Sequence, residues 1–403
     1  NDENENQQRA QRFKQQQGHA MSLNLPAVGP RPWARWMWVL IVGSLAACGT
    51  PQVEQPRPAQ GLDGGQPGPS WLRERSQWQA VRWSELPGWG QDALHEAWGA
   101  WLRSCEKPAP VIGALCGDVR QLSIASDDDK ARWLEQRFVP YRITERDGRL
   151  PEGLMTGYYE PMMQASRLPT DTHRTALYQT PIGWRSGEIG PTRAQFDNDA
   201  QAQRSVQGRA LVWLKDPIDA LIVQIQGSGR FVVTEPDGSQ RSVRLAFAGH
   251  NGQTYQSIGR WLLDQRLLSD VSWDGIKAWV AANPHRLTEL LQVNPRVVFF
   301  QEEPLSAVDA MFGPRGAQGV PLTPWRSIAV DRGSIPYGTP VWLSTQGPGL
   351  RANKLVMAQD TGGAIVGAVR IDYFTGWGSW NDQAYTVAAQ LKQPVRVWAL
   401  WPR

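Results

Sequence analysis

The chain has 403 residues, with 42 Lys and Arg against 38 Asp and Glu and a net charge of +4. This length allows two domains, and the mild charge, without basic runs interleaved with aromatic residues, argues against a nucleic-acid-binding protein. Tryptophan is frequent, with 21 residues against 8 Tyr and 9 Phe. Indole rings suit stacking on sugars, although packing in the core is their commoner role.

The N-terminal segment has the pattern of an exported lipoprotein. Residues 1–20 are polar, rich in Gln and lack an initial Met, so we expect a disordered or non-native leader. Residues 21–47 resemble a lipoprotein signal peptide, whose apolar run is too short for a comfortable membrane-spanning helix. The run ends in Leu-Ala-Ala-Cys, which resembles a lipobox and implies cleavage before Cys48 and lipidation of its sulfur. The alternative is an ordinary cleaved signal with an incidental cysteine.

Gly49 follows this cysteine where an Asp would favour retention in the inner membrane, so the pattern implies anchoring to the outer membrane, on its periplasmic face. Several acyl chains give stable anchoring. Residues 48–70 are rich in Pro, Gly and Gln, which is typical of a flexible tether.

Cys105 and Cys116 are the remaining cysteines. In an oxidising compartment a disulfide is favoured over a metal pair, because no His cluster accompanies them. With 5 His scattered along the chain, we expect no metal site and no cofactor. Apolar residues at helical spacing predict helices over 92–104 and 127–138, the second starting at Ser126 or Asp127 and ended by Pro140.

The middle of the chain, residues 162–294, is predicted to be strand-like, with little helix before Ser257. Strands are expected over 210–214 and 220–226, with a Gly-Ser-Gly loop directly after the second strand, and a hairpin is expected around 237–247. Helices are expected over 257–268 and 273–282.

Six further strands are predicted after Pro295, and short strands at this spacing suggest a closed or nearly closed barrel. They cover residues 296–301, 326–330, 339–343, 354–359, 368–374 and 395–401.

Three aspartates lie near the ends of these strands. Asp360 and Asp372 each follow an apolar run, and the runs are separated by Gly362 and Gly363, while Asp331 ends an earlier strand. A rigid sheet can direct such carboxylates toward a common site. The alternative is a hairpin with solvated or capping aspartates.

These motifs resemble the membrane-bound lytic murein transglycosylase A family and its three-aspartate domain. The resemblance covers roughly residues 75–403 in the family's order, through Asp331 and the segments 335–339 (IPYGT), 358–365 (AQDTGGAI), 370–374 (RIDYF), 156–161 (TGYYEP), 226–230 (QGSGR) and 294–300 (NPRVVFF).

The resemblance implies a mainly β fold with flanking helices, of the α+β class. A double-ψ β-barrel domain would be formed by residues 71–161 and 295–403, with a smaller β-domain, 162–294, inserted and a glycan-binding groove between them. The implied activity is cleavage of the β-1,4 bond between N-acetylmuramic acid and N-acetylglucosamine in peptidoglycan, leaving 1,6-anhydro ends.

The resemblance assigns the catalytic acid to Asp372, a neighbouring catalytic role to Asp360 and a supporting role to Asp331. Because the C6 hydroxyl of the substrate is a tethered nucleophile, one carboxyl group acting as acid and then as base is sufficient. Such an acid needs a raised pKa, which burial and a nearby like charge can supply.

The predicted substrate-binding residues come from the motif match and from polarity, and a turn or core role is an equal alternative for each. They are Thr156, Tyr158, Gln226, Gly227, Ser228 and Asn251. The expected partners are peptidoglycan glycan strands and a membrane reached through the lipid anchor. Cell-wall synthesis proteins are candidate partners, and a monomer is expected.

Three other functions fit parts of the pattern. Asp360 and Asp372 would serve as the pair of a glycan hydrolase. Residues 360–362 match the Asp-Thr-Gly of aspartic proteases, which need two copies, and the chain has one. The third is a non-catalytic peptidoglycan-binding lipoprotein, in which the groove would bind glycan and the aspartates would have no catalytic role.

Overall fold

A computed structural model describes residues 69–403. The predicted leader, signal peptide and lipidation site at Cys48, with nearly all of the tether, lie outside the described residues. Within residues 69–403 no helix has the length and apolar character needed to cross a membrane.

The fold is rich in strands and confirms the predicted mainly β class with flanking helices. The strands are β1 Ser70–Leu72, β2 Gln77–Ala80, β3 Phe138–Thr144, β4 Leu154–Ser166, β5 Thr175–Tyr178, β6 Ala210–Leu214, β7 Ser228–Thr234, β8 Gln240–His250, β9 Val298–Pro304, β10 Ser327–Val330, β11 Pro340–Gln346, β12 Arg351–Asp360, β13 Arg370–Gly378, β14 Lys392–Pro394 and β15 Arg396–Pro402.

The helices are short and flank the sheet. They are α1 Leu94–Ser104, α2 Cys116–Gln121, α3 Asp127–Arg137, α4 Arg193–Asn198, α5 Ala200–Val206, α6 Pro217–Gln226, α7 Ile258–Asp264, α8 Trp273–Ala282, α9 Leu287–Val293 and α10 Gln383–Gln390.

The sheet closes on itself as a barrel. Neighbouring strands follow the order β11, β12, β10, β13 and β4. The C-terminal segment completes the ring, because β14 pairs with β4 and the following β15 pairs with β11. Of the six strands predicted for the barrel, only residues 296–301 lie elsewhere, since β9 pairs with β8, and β4 takes that place.

Alternation along the barrel strands separates an apolar interior from an outer face. Met155, Ile371 and Tyr373 are buried in the interior cluster. Thr156, next to Met155 on β4, and Asp372, between Ile371 and Tyr373 on β13, therefore point outward. β4 continues past the barrel, and its last residues pair with β7, which lies outside the barrel.

The prediction of a strand over 220–226 is wrong, because α6 occupies this segment. Its Ile- and Val-rich run is buried on most sides and imitates a strand. The Asp216 side chain caps the helix, Pro217 is its first residue, and Gly227 ends it at φ +83°. The Gly-Ser-Gly loop is also absent here, because Ser228 already begins β7.

Other boundaries need correction. Helices α4 and α5, besides α6, precede Ser257, although little helix was predicted there. Pro140 does not end α3, which stops at Arg137; the proline lies within β3. Of the two residues predicted to start this helix, Ser126 is the N-cap, because its side chain accepts a hydrogen bond from Asp129 N, and Asp127 is the first residue of the helix.

The hairpin alternative for the two aspartates is wrong for this structure. β12 and β13 are not neighbours, because β10 lies between them, parallel to β12 and antiparallel to β13. The second strand begins at Arg370, two residues later than predicted.

Candidate active site

The barrel register places the two aspartates in one row on the outer face. Across five adjacent strands, paired residues run Lys392, Thr156, Asp372, Ala329 and Asp360. With strands about 4.8 Å apart, the backbones of the two aspartates are separated by about 10 Å. The small side chain of Ala329 lies between them.

A register shift between Ile328 and Ala329 brings Asp360 to this face. Ile328 pairs with Ala358 and Ala329 pairs with Asp360, so Gln359 is the extra residue. Such an irregularity redirects the side chain that follows it. The Gln359 side chain binds elsewhere, donating to Ala100 O of α1 at 2.7 Å.

Asp372 is a half-buried carboxyl group with one hydroxyl donor. Thr156 Oγ1 donates a hydrogen bond to its Oδ1 at 2.6 Å. Desolvation raises the pKa of Asp372 to about 6, against the opposing effects of this hydrogen bond and of the Arg370 charge; the Asp360 charge adds to the rise. A carboxyl group in this state exchanges a proton near neutral pH.

Asp360 is held from two sides. Tyr158 Oη donates to Oδ2 at 2.9 Å, and Ala317 N donates to Oδ1 at 2.9 Å. Burial raises the pKa of Asp360, although these donors oppose the rise. Both of its oxygens are therefore engaged, whereas Asp372 has a single side-chain donor.

Asp331 joins two loops of the barrel. Its Oδ1 accepts from Gly333 N and its Oδ2 from Gly367 N, each at 2.8 Å. It thus connects the turn after β10 with the segment that leads into β13. As a residue that supports catalysis, Asp331 stays a prediction.

The two adjacent tyrosines of β4 point to opposite faces of the strand. Tyr158 packs against Phe374 with ring centroids 5.2 Å apart, whereas Tyr159 packs against Tyr385 at 5.6 Å. Burial and the charges of Asp360 and Asp372 raise the pKa of Tyr158 well above its usual value. Its hydroxyl therefore remains a donor to Asp360.

Gln226, Gly227 and Ser228 lie where α6 meets β7. Gln226 Oε1 accepts from Tyr159 N at 3.1 Å and so connects the helix to β4. Gly227 is the helix C-cap, and Ser228 is buried. As substrate contacts, the three residues stay predictions.

Asn251 is buried at the junction of three segments. Its Nδ2 donates to Pro191 O at 2.7 Å and to Pro295 O at 2.9 Å, and its Oδ1 accepts from Val297 N at 3.0 Å. The backbone thus engages both ends of the amide. A direct substrate contact by Asn251 stays a prediction.

A buried charge cluster lies further along β4, and sequence reasoning assigned it no role. Arg230 Nε donates to Glu160 Oε2 at 2.6 Å, and Arg244 Nε donates to Oε1 at 2.7 Å. The Arg230 guanidinium also lies 3.9 Å from the ring centre of Trp377. Glu160 and Arg230 belong to the segments 156–161 and 226–230 that carry the family resemblance. Their opposite charges were the sequence signal that could have predicted this ion pair.

The segment that donates Ala317 N to Asp360 was also missed. Gln318 anchors it: Nε2 donates to Lys107 O at 3.1 Å, and Oε1 accepts from Ser104 Oγ at 3.2 Å. A disulfide joins Cys105, directly after α1, to Cys116. The helical segment thereby supports one side of the site.

The Gly362–Gly363 turn allows a close approach. Neither glycine has a positive φ. A Cβ on Gly363 would lie 2.4 Å from Arg296 Nη1. Arg296 Nε donates to Gln253 O at 2.7 Å, so this side chain links the turn after Asp360 to the loop that contains Asn251.

No group of three His, Cys, Asp or Glu in residues 69–403 could hold a metal ion. The row on the barrel offers a carboxyl group with a raised pKa, a second carboxyl group held by two donors, and the hydroxyl groups of Thr156 and Tyr158. Such a set can protonate a leaving oxygen and stabilise a developing positive charge.

The chain resembles known proteins over nearly all of its described part. Residues 154–301 match the MltA specific insert domain, and residues 326–401 match the 3D domain. The membrane-bound lytic murein transglycosylase A of Vibrio cholerae is 33% identical over 257 residues, which are 61% of this chain and 65% of that protein. The chain thus spans just under two thirds of this curated relative.

This chain is also similar to solved structures of lytic transglycosylases. The lytic transglycosylase LtgG of Burkholderia pseudomallei is 42% identical with a TM-score of 0.54, and the match covers 84% of this chain and 98% of that one. MltA of Neisseria gonorrhoeae is 28% identical with a TM-score of 0.66, covering 84% and 96%.

Proposed function

Because this chain belongs to the membrane-bound lytic murein transglycosylase A family, we propose that it cleaves the β-1,4 bond between N-acetylmuramic acid and N-acetylglucosamine in peptidoglycan. The names of the Vibrio and Burkholderia relatives support this reaction class. We further propose that the products carry 1,6-anhydro-muramoyl ends, formed with Asp372 as the catalytic residue.

The reaction needs a proton donor and a base in sequence. Protonated Asp372 gives its proton to the leaving glycosidic oxygen, and the C–O bond to the anomeric carbon breaks through an oxocarbenium-like transition state. The C6 hydroxyl of the muramoyl unit then attacks that carbon, and its proton passes to the Asp372 carboxylate. The tethered hydroxyl replaces water, so no second catalytic carboxylate is required.

The observation that carries this proposal is the contrast between the two carboxyl groups. Asp372 has a pKa of about 6 and one hydroxyl donor, so it can gain and lose a proton. Asp360 is engaged by Tyr158 and by Ala317 N, which suits a fixed negative or polar neighbour better than an attacking base.

Digestion of purified murein sacculi tests the proposal. Mass spectrometry of the released muropeptides should find anhydro ends, which lack one water relative to reducing ends. Reducing ends would overturn the proposed reaction and favour hydrolysis by the Asp360 and Asp372 pair. The absence of soluble products despite glycan binding would favour a non-catalytic binding protein.

The wider setting is also proposed. We infer that the glycan strand lies in a groove between a barrel domain, 71–161 with 295–403, and an inserted domain, 162–294; the matched regions 154–301 and 326–401 support this division. A lipid on Cys48 would hold the enzyme on the periplasmic face of the outer membrane, in agreement with the name of the Vibrio relative. Labelling with palmitate, compared between the wild type and Cys48→Ala, tests the anchor.

A further inference from the structure

We propose that Lys392 binds a carboxylate on the muramic acid side chain of the substrate and so selects anionic glycan. This inference rests on the proposed function, because it concerns the same groove. It adds a specificity-determining residue that none of the motifs contains.

The register of three strands places Lys392 beside the catalytic row. Lys392 is paired directly with Thr156, and Thr156 is paired on its other side with Asp372. Directly paired residues project from the same face of a sheet. The Lys392 side chain therefore projects from the outer face, and its backbone lies two strands, or about 10 Å, from that of Asp372. Asp360 lies at the same distance on the other side of Asp372.

The charge of Lys392 is available for a ligand. The residue is exposed, and within residues 69–403 its ammonium group makes no ion pair. The neighbouring cations are engaged: Arg370 Nη1 donates to Ile371 O at 2.7 Å, and Arg260 Nε is paired with Asp264 at 2.9 Å.

A cavity of about 300 Å³ begins at Lys392. Its lining includes the apolar side chains of Ile225, Ile258 and Trp273 and the cationic side chain of Arg260. A lining that combines apolar and cationic side chains fits a small substituent that has both an aliphatic part and an anionic end. A neutral sugar alone would leave the ammonium group without a partner.

The muramoyl unit carries such a substituent. Its O3 bears a lactyl group, whose carboxyl is free in glycan without peptides and is amide-linked to a peptide stem in substituted glycan, where the stem supplies carboxylates. Both sources place an anion on the sugar whose anomeric bond is cleaved. An oligomer of N-acetylglucosamine has neither.

The test compares Lys392→Met, Lys392→Arg and Arg351→Met in the full-length chain. Arg351 is an exposed control at the far end of β12, about 30 Å of extended strand from Asp360. The substrates are stem-bearing glycan, stem-free glycan with free lactyl carboxylates, and the latter after its carboxylates are converted to neutral amides. Chitohexaose is the ligand without a lactyl group. Initial rates are measured for the glycans, and binding is measured for all four in an Asp372→Asn background.

We expect Lys392→Met to lower kcat/KM and affinity about tenfold or more for a glycan with carboxylates, the size of one lost charge-assisted hydrogen bond. Binding of the neutralised glycan and of chitohexaose should not change, and Lys392→Arg should retain most of the affinity. A loss confined to stem-free glycan identifies the lactyl carboxylate, and a loss confined to stem-bearing glycan identifies the stem.

Equal effects of Lys392→Met on charged and neutral ligands, or an equal effect of Arg351→Met, would overturn the inference. Failure of the proposed function looks different, because the wild-type chain would then release no anhydro products. The binding measurements still decide the role of Lys392 in that case, since they do not depend on turnover.

Discussion

Two carboxyl groups, Glu160 on β4 and Asp372 on the adjacent β13, differ in how far nearby cations compensate their charge. Glu160, part of the strand itself, is fully buried and neutralised by two guanidinium groups, those of Arg230 and Arg244. Asp372, paired with the start of the same strand, is half-buried, and within residues 69–403 the one side chain that donates a hydrogen bond to it is that of Thr156. The nearby Arg370 lowers its pKa less than desolvation raises it.

The difference separates scaffold from chemistry. A buried carboxylate between two cations compensates their charge, and its loss would leave those cations uncompensated. A desolvated carboxyl group with weak compensation is instead close to its protonation midpoint at ordinary pH. We therefore expect neutral substitutions at the two positions to have opposite effects on stability.

Asp372→Asn should have the largest effect on activity. Removing the general acid and base should lower the rate of anhydro-muropeptide release by about a hundredfold or more. The variant should also be more stable than the wild type above pH 6, because a carboxylate with a raised pKa destabilises the folded state once it ionises. This advantage should develop between about pH 4 and pH 6 and be absent at lower pH, where the wild-type group is protonated in both states.

The checks are release assays on sacculi and urea unfolding at pH 4 and pH 8. Asp171→Asn, at an exposed position, is the matched control and should leave both quantities unchanged. Retention of more than a few per cent of wild-type activity by Asp372→Asn would refute its catalytic role.

Glu160→Gln should be strongly destabilising at neutral pH. It preserves shape but leaves two buried guanidinium groups without a counter-charge, at a cost of about 3–5 kcal/mol. Urea unfolding measures the loss. Glu289→Gln removes a carboxylate from a solvent-exposed pair with Arg286 and should lower the free energy of unfolding far less. Equal losses for the two variants would mean that the buried guanidinium groups of Arg230 and Arg244 do not depend on the charge of Glu160.

Thr156→Val should shift the pH dependence of activity. The hydroxyl stabilises ionised Asp372, so its removal should raise the pKa of Asp372 above about 6, by roughly half to one unit. Because the acid must start protonated, kcat/KM of the wild type should fall as pH rises through about 6, and the variant should keep activity to higher pH. Thr172→Val is the exposed control. A profile shifted to lower pH would contradict the assignment.

The sequence pointed to the three aspartates as candidates and predicted five of the barrel strands, because apolar runs that end in Asp and Gly are a local signal; it misplaced residues 296–301 and did not predict β4 as a barrel strand. It could not place the carboxylates in a row, since that depends on β10 lying between β12 and β13 and on the register shift at Ala329. Pairings between distant segments have no local pattern. The same is true of Lys392, which becomes part of the row only through its pairing with Thr156.

The error at α6 has a different cause. Ile222 and Val223 are residues that favour strands in isolation. The helix that contains them is buried on most sides, so its sequence is as continuously apolar as that of a buried strand. The decisive signals were at its ends, in Asp216 and Gly227, and they are weaker than the run between them. Asn251 illustrates the opposite case, because a polar residue near glycines suggests a ligand contact, although here the backbone engages both ends of its amide.

Gln318→Ala should have the smallest effect and tests how firmly Asp360 must be held. The change removes the bonds to Ser104 and to Lys107 O, so the segment that presents Ala317 N to Asp360 loses its anchor on α1. Asp360 would keep its Tyr158 partner, and the pKa of Asp360 should rise because one donor is weakened. In the proposed mechanism Asp360 influences the reaction through its charge near Asp372, so we expect a loss in kcat of about two- to tenfold, with KM for sacculi nearly constant. Gln203→Ala, at an exposed position of α5, is the control. A loss as large as that of Asp372→Asn would mean that Asp360 takes part directly in proton transfer, and the contrast between one exchanging and one fixed carboxyl group would have to be abandoned.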